Sequence, residues 1–381
     1  MPDSISIWHI FLFVFSKKNI NFVSLMNHAQ QIALEAARQE HLQLCREHPL
    51  QQLFWECTLR CNLSCRHCGS DCAKDLEATE MPLDDFLPVL DEIALHVKPA
   101  SLLVNTVGGE PLVRHDIVEC GREIKRRGFQ WGLVSNGHLL DEKMMSRLVD
   151  AGIDSMSVDI DGIAGDHNWL RNNPHSFDRA MRAIDLMRQA PNIEWDVITC
   201  VNSHNIGTLD QVKQLLIEAG VRHWRCFTIV PMGRAAGLEE LQLTDVQFRD
   251  LLNFIVKTRL EGKIDLNYAC EGFLGPYEGM VRDYFYSCEA GLTVASILSD
   301  GSISGCLSIR SDYNQGNIYR DSFWDVWSNR FDVYRNRDWM KRGICANCEM
   351  FRYCQGNGFH LRDNNGDTMV CHFNRLKNVI I

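Results

Sequence analysis

Two patterns of apolar and polar positions alternate along the chain from residue 53 to about residue 260. Short apolar runs of strand character are separated by amphipathic segments whose apolar positions recur at three- and four-residue spacing. The predicted strands are 53–56, 101–106, 130–135, 155–160, 195–201 and 224–230. The predicted helices between and after them are 84–96, 116–127, 141–151, 176–189, 206–219 and 244–259, and a further amphipathic helix is predicted over 27–46.

Regular alternation of strands and helices predicts an α/β fold with a parallel sheet that closes into an open or partial barrel. The pattern changes after residue 260, where helical periodicity weakens and cysteine, glycine and aromatic residues become more frequent. The segments 293–298 and 303–306 flank an Asp300-Gly301 turn and predict a β-hairpin. We therefore place a domain boundary near residue 260.

Charge and the N-terminal sequence limit the possible partners. The formal net charge of the 381-residue chain is −10, which argues against a nucleic-acid or anionic-membrane partner.

An apolar run at 5–15 is too short to span a bilayer, and its basic residues, Lys17 and Lys18, follow it rather than precede it. We interpret residues 1–25 as a non-essential extension before a start at Met26, with a weak signal or anchor as the alternative, and we expect a cytoplasmic protein.

Cysteine is the unusual residue in the composition, with sixteen copies that concentrate in two bursts at 57–72 and 345–371. Disulfide frameworks are typical of short secreted chains, whereas short C-x2-C spacings in a long chain favour metal sites. Cys120, Cys200 and Cys226 fall within predicted helices or strands, and we expect them to be buried small hydrophobes.

Three thiols follow the first predicted strand in a C-x3-C-x2-C arrangement, namely Cys61, Cys65 and Cys68. Three thiolates can hold three irons of a cubane cluster and leave the fourth iron without a protein ligand. The alternative is a closed zinc site, which needs a fourth ligand. Its candidates are Cys57, His67 and Cys72.

The spacing of these three cysteines resembles the signature of the radical S-adenosylmethionine (radical SAM) enzymes. The resemblance implies a partial (βα)6 TIM-like barrel over residues 50–260, after an N-terminal extension and helix over 1–49. It also implies a [4Fe–4S] cluster that binds SAM and cleaves it to methionine and a 5′-deoxyadenosyl radical. A flavodoxin- or ferredoxin-type protein would supply the electron.

Four later motifs, each at the end of a predicted strand or shortly after it, extend the resemblance. Gly108-Gly109-Glu110-Pro111 matches the family's GGEP motif, which implies contacts with the amino group of SAM; the alternative is a simple turn. Pro231-Met232-Gly233-Arg234-Ala235 resembles the family's P-x-G-R-A motif, with residues near Val230 packing on adenine. The other two motifs follow the third and fourth predicted strands. The resemblance implies that Ser135 and Asn136 lie beside SAM, that Asp159 binds its ribose hydroxyls and that Arg171 pairs with its carboxylate.

The C-terminal cysteines resemble the SPASM extension of radical SAM peptide-modifying enzymes. This implies a small Cys-rich α+β C-terminal Fe–S domain over 261–381, with one or two auxiliary [4Fe–4S] clusters. The implied ligands are Cys288, Cys306, Cys345, Cys348, Cys354 and Cys371. The chain has Gly358 where the pattern expects a further cysteine, so three alternatives stay open: Cys270 replaces it, one iron stays open to substrate or water, or a twitch-like single cluster uses Cys288, Cys306, Cys345 and Cys348. A zinc site on Cys345, Cys348, Cys354 and Cys371 is the non-cluster alternative.

The resemblance implies an enzyme that abstracts hydrogen from a peptide or small protein and so modifies it after translation. Haem or other cofactor biosynthesis is the alternative among enzymes, and a zinc-stabilised binding protein is the alternative outside them. No acid–base residue can be assigned from the sequence.

Overall fold

The computed structural model describes residues 28–74 and 80–380. The apolar run at 5–15, the two lysines after it and the possible start at Met26 lie outside these residues. Within the described ranges, no helix combines the length and the apolar character needed to cross a bilayer.

Helices and strands alternate through most of the chain. The strands are β1 (Gln52–Thr58), β2 (Leu103–Gly108), β3 (Gln130–Ser135), β4 (Ser155–Asp159), β5 (Glu194–Val201), β6 (His223–Thr228), β7 (Asp265–Tyr268), β8 (Val294–Ile297), β9 (Ser302–Ser304) and β10 (Gly316–Asn317). The α-helices are α1 (His28–Glu47), α2 (Leu83–Ile93), α3 (Ile117–Arg126), α4 (Glu142–Asp150), α5 (Ala164–Arg171), α6 (Ser176–Gln189), α7 (Leu209–Glu218), α8 (Asp245–Glu261), α9 (Phe323–Asn329), α10 (Asp332–Arg335), α11 (Phe351–Cys354) and α12 (His372–Ile380).

All ten strands belong to one sheet with the order β10-β9-β8-β1-β2-β3-β4-β5-β6-β7. Strands β1 to β7 are parallel to their neighbours, and β8 is parallel to β1, so the C-terminal hairpin extends the barrel sheet at the β1 side. The sheet begins at β10 and ends at β7 in the described structure, which leaves the barrel open. This confirms the predicted α/β fold with a partial barrel.

All the predicted strands and helices are present in the structure, although several shorter elements were not predicted. All six predicted strands form, and β3 and α6 have the predicted bounds. The hairpin around Asp300-Gly301 also forms, with Gly301 at φ +83° as the turn requires. Helices α5 and α9 to α12 and strands β7 and β10 were not predicted. The domain boundary near residue 260 stays a prediction.

Large aromatic side chains fill the space between the sheet and its outer helices. Trp55 of β1 stacks on Phe86 of α2 with ring centroids 4.1 Å apart. Trp131 of β3 is fully buried against Gly121 of α3, where an added β-carbon would lie 2.1 Å from the indole ring. This packing fixes the strands, and the ends of the strands in turn position the site.

Helix α1 attaches the N-terminal part of the described chain to the C-terminal part. His41 Nδ1 lies 2.8 Å from Ser287 Oγ, and Gln30 Nε2 donates to the carbonyl of Pro276 at 3.2 Å. Arg352 pairs with Glu35 at 2.5 Å. The helix thereby closes one side of the cavity described next.

Candidate functional site

One cavity of about 1680 Å³ runs along the inner face of the open barrel. Its walls include alternate residues of the strands, such as Asn105, Ser157 and Arg225, because successive side chains of a strand point to opposite faces. The cavity also reaches two groups of cysteines. One is the loop at 61–68, hereafter the cysteine loop, and the other is Cys270, Cys288 and Cys306.

The three thiols of the cysteine loop line this cavity, and two of them, Cys61 and Cys65, receive N–H donors. Leu63 N lies 3.5 Å and Asn136 Nδ2 3.8 Å from Cys61 Sγ, while Arg171 Nη1 lies 3.9 Å from Cys65 Sγ. Burial raises the pKa of Cys61 to about 12, so its thiolate requires compensating positive charge. Metal coordination supplies such charge and deprotonates a coordinating thiol, and hydrogen bonds from N–H groups then stabilise the thiolate.

The separation of these thiols fits a cluster better than a single ion. A tetrahedral zinc ion with Zn–S bonds of about 2.3 Å would hold its sulfurs about 3.8 Å apart. The three sulfurs of the cysteine loop do not all lie within 4.8 Å of one another, whereas a cubane places each thiolate on a different iron. Among the described residues, His67, Asp161 and Cys200 have three possible ligand atoms within 4.8 Å of one another. Asp161 in that group is already paired with Arg171.

The glycines of the GGEP motif let the cysteine loop pack against the end of β2. A β-carbon at Gly108, which has φ +135°, would lie 2.1 Å from the carbonyl oxygen of Thr58. One at Gly109 would lie 2.2 Å from that of Arg60. Gly109 N donates to Thr58 O at 2.8 Å, and Glu110 N donates to Arg60 O at 3.0 Å. The motif thus holds the loop that carries the three thiols, and the adjoining Pro111 is buried.

Arg234, which follows β6, holds the other side of the cysteine loop. Its Nε donates to Cys65 O at 2.7 Å, its Nη1 to Cys72 O at 2.8 Å, and its backbone N to Cys68 O at 3.0 Å. The P-x-G-R-A motif had pointed to this segment for adenine packing, without a role for the arginine. Sequence reasoning therefore missed Arg234 as a residue that positions the loop.

Glu110, Ser135 and Asn136 form one buried hydrogen-bonded group at the ends of β2 and β3. The Glu110 carboxylate accepts from Ser135 Oγ at 2.9 Å, Asn136 N at 2.7 Å and Leu112 N at 3.0 Å. Burial raises the pKa of Glu110 to about 7. Asn136 Nδ2 also donates to Asn62 Oδ1 at 2.9 Å, which connects this group to the cysteine loop.

Arg171 of α5 is buried between two carboxylates. Its Nε lies 2.6 Å from Asp161 Oδ2 and its Nη2 lies 3.0 Å from Asp159 Oδ2. Burial raises the pKa of Asp159, whereas the Arg171 charge holds the pKa of Asp161 below its ordinary value despite its burial. His167 Nδ1 accepts from Asp161 N at 3.0 Å and steadies the same turn. The predicted Asp159 and Arg171 thus meet beside Cys65.

The C-terminal cysteines form two groups. Burial of the thiol and the neighbouring Cys306 and Cys288 together raise the pKa of Cys270 to about 12. The second group is Cys345, Cys348, Cys354 and Cys371. Burial and the neighbouring Cys345 and Cys348 raise the pKa of Cys371, and burial and all three of these thiols raise that of Cys354. None of the sixteen cysteines, all within the described ranges, forms a disulfide.

His360 lines the same cavity as the first of these groups, and sequence reasoning did not single it out. Its ring lines the cavity together with Cys270, Cys288 and Cys306. Burial lowers the pKa of His360 to about 4, so the imidazole is neutral near pH 7.

The fold and the site define a partial-barrel protein with a group of thiols and polar side chains at the carboxyl ends of its strands. Residues 55–216 match the model of the radical SAM superfamily, and residues 288–349 match that of the SPASM iron–sulfur cluster-binding domain. The chain belongs to the radical SAM superfamily and carries a SPASM-type domain. It is a radical SAM enzyme whose cofactors are SAM, a [4Fe–4S] cluster and auxiliary Fe–S clusters.

Curated relatives with related activities cover most of the chain. The AdoMet-dependent heme synthase of Methanosarcina barkeri is 29% identical over 328 residues, which is 80% of this chain and 90% of that protein. The mycofactocin maturase MftC of Mycolicibacterium smegmatis is 27% identical over 311 residues, which is 80% of this chain and 76% of that protein.

Solved structures share the fold at low identity. The structure of anSMEcpe with bound AdoMet matches with a TM-score of 0.69 at 20% identity, covering 87% of this chain and 96% of that one. Streptococcus suis SuiB bound to its precursor peptide SuiA matches with a TM-score of 0.65 at 16% identity, covering 90% of this chain and 79% of that one.

Proposed function

We propose that Cys61, Cys65 and Cys68 hold the [4Fe–4S] cluster that binds SAM. The observation that carries this proposal is that one cavity contains these three thiols, N–H donors directed at Cys61 and Cys65, and the strand-end residues Ser135, Asn136 and Asp159 together with Arg171. When bound, the cluster supplies the electron that cleaves SAM to methionine and a 5′-deoxyadenosyl radical.

The polar strand ends would then orient SAM beside the cysteine loop. Ser135 and Asn136 line the cavity, and the fully buried carboxylate of Glu110 behind them accepts from both, so Glu110 would position these two residues toward the ammonium group. Asp159 is suited to accept from ribose hydroxyls. Two nitrogens of Arg171 are already paired within the protein, Nε with Asp161 and Nη2 with Asp159. A contact with the SAM carboxylate would therefore use the third nitrogen, Nη1, which is directed at Cys65.

We infer that the substrate is a peptide or small protein. The four arginines that line the cavity are all engaged by protein groups: Arg171 by Asp159 and Asp161, Arg225 by Asp196, Arg310 by Glu56, and Arg234 by backbone carbonyls. An iron porphyrin with several propionate groups would be expected to meet unpaired arginines, because guanidinium groups recognise carboxylates. The cavity also exceeds the 300–1000 Å³ typical of small-molecule pockets, which leaves room for SAM and an extended substrate.

Haem-type biosynthesis is the second candidate, and the similarity to the heme synthase of Methanosarcina barkeri favours it.

Either reaction requires an electron donor, for which we propose a flavodoxin or ferredoxin. We also propose a cytoplasmic location. The C-terminal cysteine groups would hold the auxiliary clusters, which accept the surplus electron or bind substrate.

A turnover assay distinguishes the two substrate classes. The reconstituted protein is incubated anaerobically with SAM, dithionite and either peptides encoded beside its gene or Fe-coproporphyrin III. We expect a mass change in a peptide together with 5′-deoxyadenosine, and no change in the porphyrin. Oxidative conversion of the porphyrin with no peptide modified would overturn the peptide assignment in favour of the second candidate.

A further inference from the structure

The cavity end formed by Cys270, Cys288 and Cys306 is one protein ligand short for a cubane cluster. A [4Fe–4S] cluster is ordinarily held by four cysteines, one on each iron. The other C-terminal group, Cys345, Cys348, Cys354 and Cys371, already has four thiols. The inference that follows rests on the proposed auxiliary cluster at the three-thiol end.

The side-chain space at Gly358 is filled by the ring of His360. A β-carbon at position 358 would lie 2.7 Å from His360 Cε1, 2.9 Å from its Nδ1 and 3.1 Å from Tyr286 Oη. The φ of Gly358 is −73°, a value that any residue adopts, so the backbone itself does not require glycine here. The imidazole occupies the space that a side chain at 358 would use.

The His360 ring is also available to bind a ligand. It faces the cavity together with the three thiols, and neither ring nitrogen has a hydrogen-bond or ion-pair partner within 28–74 and 80–380. A buried neutral imidazole without a protein partner has an unused lone pair, and neutral imidazole is the form that binds metals. Tyr286 Oη is the competing group, since it is buried and lacks a partner among the described residues.

We propose that His360 is the fourth protein ligand of the auxiliary cluster held by Cys270, Cys288 and Cys306. Histidine is an established iron ligand in clusters in which it replaces cysteine, and the neutral ring raises the reduction potential relative to a thiolate. The cluster would therefore be fully ligated by protein and easier to reduce than one with four cysteines. It would serve in electron transfer rather than present an open iron to the substrate.

Magnetic resonance of the auxiliary clusters tests this ligand directly. The test uses the full chain with Cys61, Cys65 and Cys68 replaced by alanine, so that only auxiliary clusters remain, produced with ¹⁵N-histidine, reconstituted and reduced. We expect electron–nuclear double resonance to detect one strongly coupled imidazole nitrogen. His360→Ala in this background should abolish the coupling, whereas Tyr286→Phe should preserve it.

A thiol rescue supplies the second readout. Gly358→Cys combined with His360→Ala removes the ring that blocks position 358 and places a thiol there. We expect the double variant to keep the iron content of its parent, to lose the nitrogen coupling and to have a lower midpoint potential. The proposal would be overturned if the double variant had the same spectra and midpoint potential as its parent. It would also be overturned if the nitrogen coupling survived in His360→Ala.

The outcome also separates this ligand from the proposed function. If the background variant binds iron but shows no strongly coupled nitrogen, His360 is not a ligand, and the auxiliary clusters and the enzyme assignment stand. If the background variant binds no iron, the proposed auxiliary clusters fail and the ligand assignment fails with them.

Discussion

A β-carbon at position 109 would lie 2.2 Å from the carbonyl oxygen of Arg60, at the place where the cysteine loop packs on the end of β2. We therefore expect Gly109→Ala to displace the loop, to cost about 1–3 kcal/mol of stability and to reduce the iron bound per chain. Iron and sulfide analysis after reconstitution provides the measurement. Gly207→Ala is the matched control, because a β-carbon there meets nothing within 4 Å and iron binding should be unchanged.

Glu110 gives the site a pH dependence whose sign follows from burial. Burial raises its pKa from 4.5 to about 7, so between these values the folded chain keeps a proton that the unfolded chain has released. The free energy of unfolding therefore falls as the pH rises through this window, by at most about 1.4 kcal/mol per pH unit from this group. We expect Glu110→Gln to flatten that decline in urea denaturation. Equal slopes for the two proteins would contradict the burial argument.

At the scale of elements, the cysteine loop is held between the ends of β2 and β6. Arg234 donates one side-chain hydrogen bond to the carbonyl of Cys65 in the loop and one to that of Cys72 just after it, and lysine cannot reproduce this planar fork. Each lost bond costs about 1 kcal/mol, so we expect Arg234→Lys to release iron to a chelator several-fold faster than the unsubstituted protein. Arg122→Lys, on the half-exposed face of α3, should release it at the original rate. Equal rates for both variants would exclude a positioning role for Arg234.

The elements that sequence could predict are those long enough to show a period. The six strands and their helices have such a period, and they were found with ends that differ by at most a few residues. Helix α5 spans eight largely polar residues and β7 spans four, which is too short for periodicity to distinguish them from loops. Helix α5 carries Arg171. The family motif therefore predicts Arg171 as a site residue, although the apolar and polar pattern does not predict the helix that carries it.

At the scale of the whole molecule, the site depends on contacts between residues far apart in the sequence. The pairing of β8 with β1 joins segments about 240 residues apart, and no local pattern encodes that register. The same limit applies to His360, which lines one cavity with Cys270, Cys288 and Cys306 only when the chain is folded. Motif spacing predicts the cysteines and Arg171 as site residues, whereas the contacts of Arg234 with the cysteine loop and the place of His360 in the cavity required the structure.

The central claim is that the cysteine loop holds the cluster that cleaves SAM. Its most direct test is 5′-deoxyadenosine formation by the reconstituted protein with dithionite, compared with Cys65→Ala and with Cys57→Ala, a buried cysteine of β1 outside the three-thiol set. We predict that the unsubstituted protein and Cys57→Ala form 5′-deoxyadenosine, and that Cys65→Ala forms none while it retains auxiliary iron. Formation at the unsubstituted rate by Cys65→Ala would contradict the assignment.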